Sequence, residues 1–292
     1  AKANDTLAGE LDHSRFANVA IEVGEKLWSG RLADDSADVG AGEEALAEGD
    51  RLRTKLGHYQ GGMFYFEGEW FWGIDRIRSL EQRLVDEGFS GNTAKRCVPQ
   101  PALDNITPLP APHVHLEYFP SLRSPYTAVG HQRVLDLVER SGVTVAVRPV
   151  MPMMMRGIPA PRAKQMYIIT DAAREARAFN VPFGRIVDPF GEPVKQAFAL
   201  FPGAAALGQE MAFVTSYLSA AWAEGIDVTT EKGLRQVAWN AGINWDQLTK
   251  AAGAADWEKV LEQNLDEMLA AGLWGVPSFR VSGGDKPPFA CW

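Results

Sequence analysis

Apolar residues recur at helical spacing early in the chain. Phe16, Val19, Ala20, Val23, Leu27 and Trp28 form roughly one stripe and predict a helix. A loop rich in Asp, Ala and Gly follows at 34–43. A second helix is expected from about Glu44 to Lys55, with Gly57 as its stop signal. The period then changes. Met63-Phe64-Tyr65-Phe66 and Trp70-Phe71-Trp72 flank Glu67-Gly68-Glu69, which reads as a β-hairpin. A third helix starts near Asp75 and carries Ile77, Leu80 and Leu84 on one face.

The run Pro99, Pro101, Pro108, Pro110 and Pro112 interrupts everything around it. Proline cannot continue a helix and favours extended chain, so 99–112 reads as a semi-rigid linker. It divides the chain into a unit at 1–98 and a unit at 113–292. The second unit opens with a strand, Val114 to Phe119. A loop from Pro120 to Ser124 then leads into a helix that runs to about Arg140. Pro125 suits a helix's first position and Ser124 suits its cap. Ser141-Gly142 ends the helix, and Val143 to Val150 is a second strand. Strand, helix and strand make a βαβ unit. A mostly helical segment follows at about 160–272, bounded at Asn180-Val181-Pro182, Gly191 to Pro193, Pro202-Gly203, Gly225 and Gly242. Val276 to Val281 reads as a strand, Gly283-Gly284 as a turn, and Phe289 to Trp292 as the partner strand.

An internal repeat is visible. Leu265 to Gly283 passes from helix to Gly272, then Leu273-Trp274-Gly275-Val276-Pro277, then Phe279-Arg280-Val281. Asp50 to Gly68 passes from helix to Gly57, then His58-Tyr59-Gln60-Gly61-Gly62, then Phe64-Tyr65-Phe66. Identities are few, but the order of elements and glycines agrees.

Composition narrows the function. Of the 292 residues, 46% are apolar and 23% are charged, close to an average globular protein. Nine tryptophans and fourteen phenylalanines are ample for a sizeable core. The formal net charge of −8 disfavours a partner such as nucleic acid, which would need a basic face. No stretch approaches the roughly 20 apolar residues of a bilayer span, so no membrane partner is expected. Ala1 to Glu10 is polar and partly acidic, so no secretory leader is expected there. Cys97 and Cys291 are the only cysteines and form no CxxC. A redox pair within one motif is excluded, and the setting is expected to be reducing and cytoplasmic.

Strand, Ser124-Pro125-Tyr126, helix, helical insertion and then Trp274-Gly275-Val276-Pro277 before a hairpin give the second unit a resemblance. So do Tyr167-x3-Asp171-x2-Arg174 leading to Asn180-Val181-Pro182, and Trp222-x2-Gly225-x-Asp227. Over about 113–292 the chain resembles the DsbA-like superfamily. Within it, the resemblance is to the branch of 2-hydroxychromene-2-carboxylate isomerases and kappa-class glutathione transferases. The resemblance implies an α/β thioredoxin fold with a helical insertion. In the first unit, Trp72-Gly73-Ile74-Asp75-Arg76 is similar to the family's hairpin-to-helix signature, which implies a tandem arrangement with the first unit incomplete. That unit has no βαβ half and has Gly61-Gly62 where Val-Pro would stand. At Trp292 the family pattern would continue with Gly-x-Asp-Arg and a closing helix. Either further segments belong to the protein or the two units complete one another.

The resemblance also implies a chemistry. A hydroxyl at a helix N-terminus sits in a positive dipole field beside unpaired N–H groups, a place that stabilises an anion. In this branch the serine, here Ser124, resembles a donor to the thiolate of bound glutathione; the other reading is an ordinary cap. Ser121 has the same two readings. Pro277 is expected to be cis by resemblance, and Val276 and Pro277 would pair with the glutathione backbone like an added strand. Tyr167, Asp171 and Arg174 share one helix face. Arg174 could meet a substrate carboxylate, or pair with Asp171 in solvent. Asn180 could bond a ligand or cap its helix, and Trp222 is a further substrate candidate. Asp75 and Arg76 resemble positions that receive the γ-glutamyl group, though a structural N-cap also fits. His113 and His115 alternate on a strand, without carboxylates or thiols that would make a metal site. Met151, Met153, Met154 and Met155 could line an apolar pocket or belong to the core.

The expectation is therefore a glutathione- or thiol-dependent isomerase or transferase acting on a small aromatic or unsaturated substrate. The alternatives are a non-catalytic binding or scaffolding member and, against the absence of CxxC, a thiol–disulfide oxidoreductase. A homodimer stays open.

Overall fold

The computed structural model describes residues 2–31, 40–89, 96–99, 110–284 and 286–292. The chain separates into two units, 1–100 and 101–292. Most of the expected linker, 100–109, and most of the expected Asp/Ala/Gly loop, 32–39, lie outside the described residues.

The first unit holds α1 (Lys2–Ala8), α2 (Phe16–Trp28) and α3 (Ala41–Lys55). It continues with the hairpin β1 (Met63–Phe66) and β2 (Glu69–Trp72), paired antiparallel from Met63↔Trp72 to Phe66↔Glu69. A 3-10 turn at Ile74–Arg76 leads into α4 (Ile77–Asp86). Asp75 lies inside that turn, and no side chain caps α4, which corrects the N-cap reading. Helix α1 was not expected: its seven residues carry no apolar stripe. The Asp5 carboxylate, 2.8 Å from the Gly42 amide, ties it to α3.

In the second unit, β3 (His115–Phe119), α5 (Pro125–Ser141) and β4 (Thr144–Val147) form the βαβ unit, with β3 and β4 parallel. Then come a 3-10 turn at Met153–Arg156, α6 (Arg162–Ala178), α7 (Glu192–Ala206) and α8 (Glu210–Ser219), which runs into a π-turn at Ala220–Glu224. Next are α9 (Glu231–Asn240), α10 (Trp245–Ala252) and α11 (Trp257–Ala270). The hairpin β5 (Ser278–Ser282) and β6 (Phe289–Cys291) completes a four-stranded sheet of order β4-β3-β5-β6. Side chains alternate across it. Leu116 and Tyr118 pack with Val134 of α5 and Phe279, while Phe119 packs on the other face with Met268 and Leu273.

Three local expectations need correction. Strand β4 ends at Val147, and beyond it Pro149 has no amide to donate, while the Arg148 and Val150 amides still donate to the Tyr118 and Pro120 carbonyls at 2.8 and 2.9 Å. His113 lies in a turn outside the strand that holds His115. Pro202-Gly203 does not break a helix but lies inside α7. There α10 comes so close that a Cβ on Gly203 would collide with the Leu248 carbonyl and stand 2.7 Å from the Ala252 nitrogen. The glycine is required by helix–helix approach. Around this contact Phe198, Phe201, Phe213, Tyr217, Trp222 and Leu248 form the largest buried cluster. Among the described residues no helix is long and apolar enough to cross a membrane.

Candidate functional site

The loop between β3 and α5 is held from below. The Ser124 amide donates to the Ser121 carbonyl at 2.9 Å, closing a turn. The Ser121 amide donates to Thr127 Oγ1 at 3.3 Å. Trp222 Nε1 donates to the Leu122 carbonyl at 3.2 Å, and Leu122 is fully buried. Arg123 makes a bidentate pair with Asp188 of the α6–α7 connection, at 2.7 and 2.6 Å, and its guanidinium lies 4.5 Å from the Phe190 ring centre. Three contacts from three directions thus fix consecutive loop residues in front of α5.

Ser124 caps that helix. Its Oγ accepts from the Thr127 amide at 3.1 Å, with Pro125 in the first turn. A hydroxyl has one donor and two acceptor sites, so this bond leaves the O–H to donate. Ser124 is only 8% exposed, so little of its surface is open to an incoming group. The sheet register places its counterpart. Phe119 pairs with Ser278, so the end of β3 and the start of β5 stand side by side. The loop bearing Ser124 follows Phe119, and Val276-Pro277 immediately precedes Ser278. The Val276–Pro277 bond is cis. Ser278 Oγ donates to the Gly275 carbonyl at 2.7 Å, and Arg156 Nη2 donates to the Trp274 carbonyl at 2.9 Å, which fixes this segment.

Beside the first turn of α5 lies a polar cluster on α6. Asp171, 1% exposed, accepts from Tyr126 Oη at 2.8 Å, from Arg174 Nη1 at 2.8 Å and from Tyr167 Oη at 3.3 Å. The expected solvated pair is therefore a buried one, because Tyr126 and Tyr167 cover the carboxylate. Tyr167 itself is 5% exposed. Trp222 is buried at 2% exposure, stacked on Phe183 at 6.0 Å, donates to the Leu122 backbone, and lines a cavity of about 580 Å³ with Asn180 and His131. Ser121 is fully buried within the loop. Asn180 follows α6 in the left-handed conformation, φ 54°, and its amide donates to the Arg177 carbonyl. The structure thus brings Ser124, Val276 and Pro277 to one end of the sheet, while Ser121 and Trp222 support the loop.

Two groups escaped the sequence reading. His131 in α5 is 4% exposed, with Nδ1 3.0 Å from Tyr118 Oη and Nε2 2.8 Å from Thr215 Oγ1. Burial pushes its pKa down to about 4 and pushes the Tyr118 phenol up. Glu117 accepts from Arg148 Nε at 2.7 Å and from Arg280, which in turn reaches Glu267. The Arg280 hydrogen bond holds the Glu117 carboxyl below the usual range. The sequence places Glu117, Arg148 and Arg280 only within strands and His131 only within a helix. Among the described residues no His, Cys, Asp or Glu cluster could hold a metal ion.

The model of the DSBA-like thioredoxin domain family matches residues 115–292. No curated protein matches the chain. Among solved structures, the chain is similar to a 2-hydroxychromene-2-carboxylate isomerase at 19% identity and a TM-score of 0.48, covering 61% of this chain and 88% of that one. It is similar to the cytosolic disulfide reductase DsbM from Pseudomonas aeruginosa at 19% identity, a TM-score of 0.48 and the same coverage. The same reductase solved with GSH gives 17% identity, a TM-score of 0.47, and coverage of 61% and 89%.

Proposed function

The chain belongs to the family of DSBA-like thioredoxin domains, and from this premise we propose that it is a glutathione- or thiol-dependent isomerase or transferase. One observation carries the reading: Ser124 caps α5 with its O–H left to donate, and the resemblance puts it where the redox members carry cysteine. A serine there cannot form a disulfide, so in a thiol mechanism the thiol is brought in by a bound molecule.

The residues fit a small thiol. Ser124 would donate to its sulfur, and the N-terminal end of α5 would favour the thiolate over the thiol. The backbone of Val276, beside Pro277, would hold the thiol's peptide groups as an added strand. Bound there, the thiol would supply the nucleophile for addition to a conjugated carbon of an aromatic or unsaturated substrate, reversible in an isomerisation and retained in a transfer, with no net oxidation or reduction. Arg174, held by Asp171, is the candidate for a substrate carboxylate, with Tyr167 beside it. Asn180 stands at the end of α6 as a further ligand candidate. We read the first unit as an incomplete second copy of the fold, from its helix, hairpin and following helix, and the compartment as cytoplasmic from the scarcity of cysteine.

The test is calorimetric titration of reduced glutathione into the wild type and into Ser124→Ala. Binding that weakens by about tenfold or more on losing the hydroxyl is the expected result. A second reading, a non-catalytic binding member, draws on the low exposure of Ser124 and its engagement as a cap. An absence of binding at millimolar glutathione would favour it and overturn the thiol reading.

A further inference from the structure

A cavity of about 590 Å³ lies in the second unit between the segment Met151–Arg156 and α11. That volume lies within the range of small-molecule sites. Met151, Met155, Trp257, Leu261 and Leu265 give it an apolar and aromatic lining, and Arg156 is its one guanidinium. Arg156 is poorly compensated. Its Nε is buried without a hydrogen-bond partner, its Nη2 bonds only the Trp274 carbonyl, and no carboxylate among the described residues lies within ion-pair distance. Burial also lowers its pKa. Charged groups withdrawn from water are ordinarily paired, because an uncompensated one is costly.

We propose that this cavity binds an apolar or aromatic monocarboxylate, its ring against Met155 and Trp257 and its carboxylate on Arg156. The methionines suit such a body, since thioethers are adaptable and pack well on aromatic rings. Charge sets the class further. Asp256, Glu258 and Glu262 line the cavity from α11 together with Lys259, and Asp256 is engaged as the cap of that helix. The three carboxylates outnumber the two cations, Arg156 and Lys259, so a second negative charge on the ligand is unfavourable and the ligand carries one. Arg156 also holds the Trp274 carbonyl, so a carboxylate on its free edge would steady the segment leading to Val276-Pro277.

The probe is 1-naphthoate, titrated calorimetrically into the full chain beside its neutral isostere 1-naphthamide. Naphthoate is expected to bind about tenfold more tightly, the share of a charge-assisted bond. Arg156→Gln is expected to bring the two ligands within about threefold, and Leu261→Trp, which fills the apolar wall without adding charge, to weaken both. Thermal unfolding of each variant checks that it is folded; the charge preference of the wild type is independent of any variant. Failure of naphthoate to bind at millimolar concentration overturns the proposal, as does a charge preference that survives Arg156→Gln. Neither outcome bears on the thiol reading, because the titration needs neither glutathione nor Ser124.

Discussion

Tyr126 and Asp171 meet at 2.8 Å, joining the first turn of α5 to the middle of α6. The carboxylate is buried and also accepts from Tyr167 and Arg174, so the phenol shares the charge with other donors. Tyr126→Phe should cost about 1–3 kcal/mol, the usual penalty for withdrawing a partner from a buried polar group. Asp171→Ala should cost more, about 3–5 kcal/mol, because Arg174 would lose its buried counter-charge. Urea unfolding followed by circular dichroism gives both values. Equal losses would show that the ion pair contributes nothing beyond the phenol bond.

Ser124→Asp separates the two roles of the hydroxyl. An aspartate caps a helix as well as a serine, so stability should stay within about 0.5 kcal/mol of the wild type, where Ser124→Ala loses about 1 kcal/mol. The aspartate carries no donor and a negative charge, so thiolate binding should disappear. A variant that keeps the fold and still binds glutathione would remove Ser124 from the site.

His131 makes the fold sensitive to acid. Its folded value is depressed to about 4, below the ordinary value near 6.5. The unfolded chain therefore binds the extra proton between those limits, and stability falls with falling pH. The contribution is intact above about pH 6.5, declines as pH drops, and levels off below about pH 4. At about 1.4 kcal/mol per unit, the decline amounts to roughly 3 kcal/mol. His131→Gln should flatten this part of the curve when unfolding free energies at pH 7, 5.5 and 4 are compared with the wild type. Curves that run parallel would show that the histidine does not contribute.

Two helix glycines should respond in opposite directions. Gly203→Ala places a methyl group on the α10 backbone and should destabilise by about 1–3 kcal/mol or more. Gly49→Ala, in α3 with nothing within 4 Å of its added Cβ, should stabilise by about 0.5–1 kcal/mol. Scanning calorimetry of the two variants checks the contrast.

The strands and helices around Ser124 were legible because each is announced locally. Period-two runs mark β3 and β5, and Ser124-Pro125 marks the start of α5. Other features depend on partners distant in sequence. The i, i+3 spacing of Asp171 and Arg174 is the same on a wet or a dry face, and Tyr126, 45 positions away, decides which it is. Pro202-Gly203 has the appearance of a boundary, yet the close approach of α10 makes it a packing site. His131 is a lone histidine in a helix, and its two partners come from β3 and α8. Arg123 gives no local sign of Asp188, 65 positions away.

The bidentate pair between Arg123 and Asp188 makes the helical insertion a poor candidate for modular exchange. Grafting the insertion of a relative onto this βαβ frame would strand a guanidinium one residue from Ser124, unless the donor also supplied a carboxylate at the place of Asp188. The short loop and the distant connection are therefore one heritable unit, and a chimera that respects only the domain boundary would inherit a displaced serine.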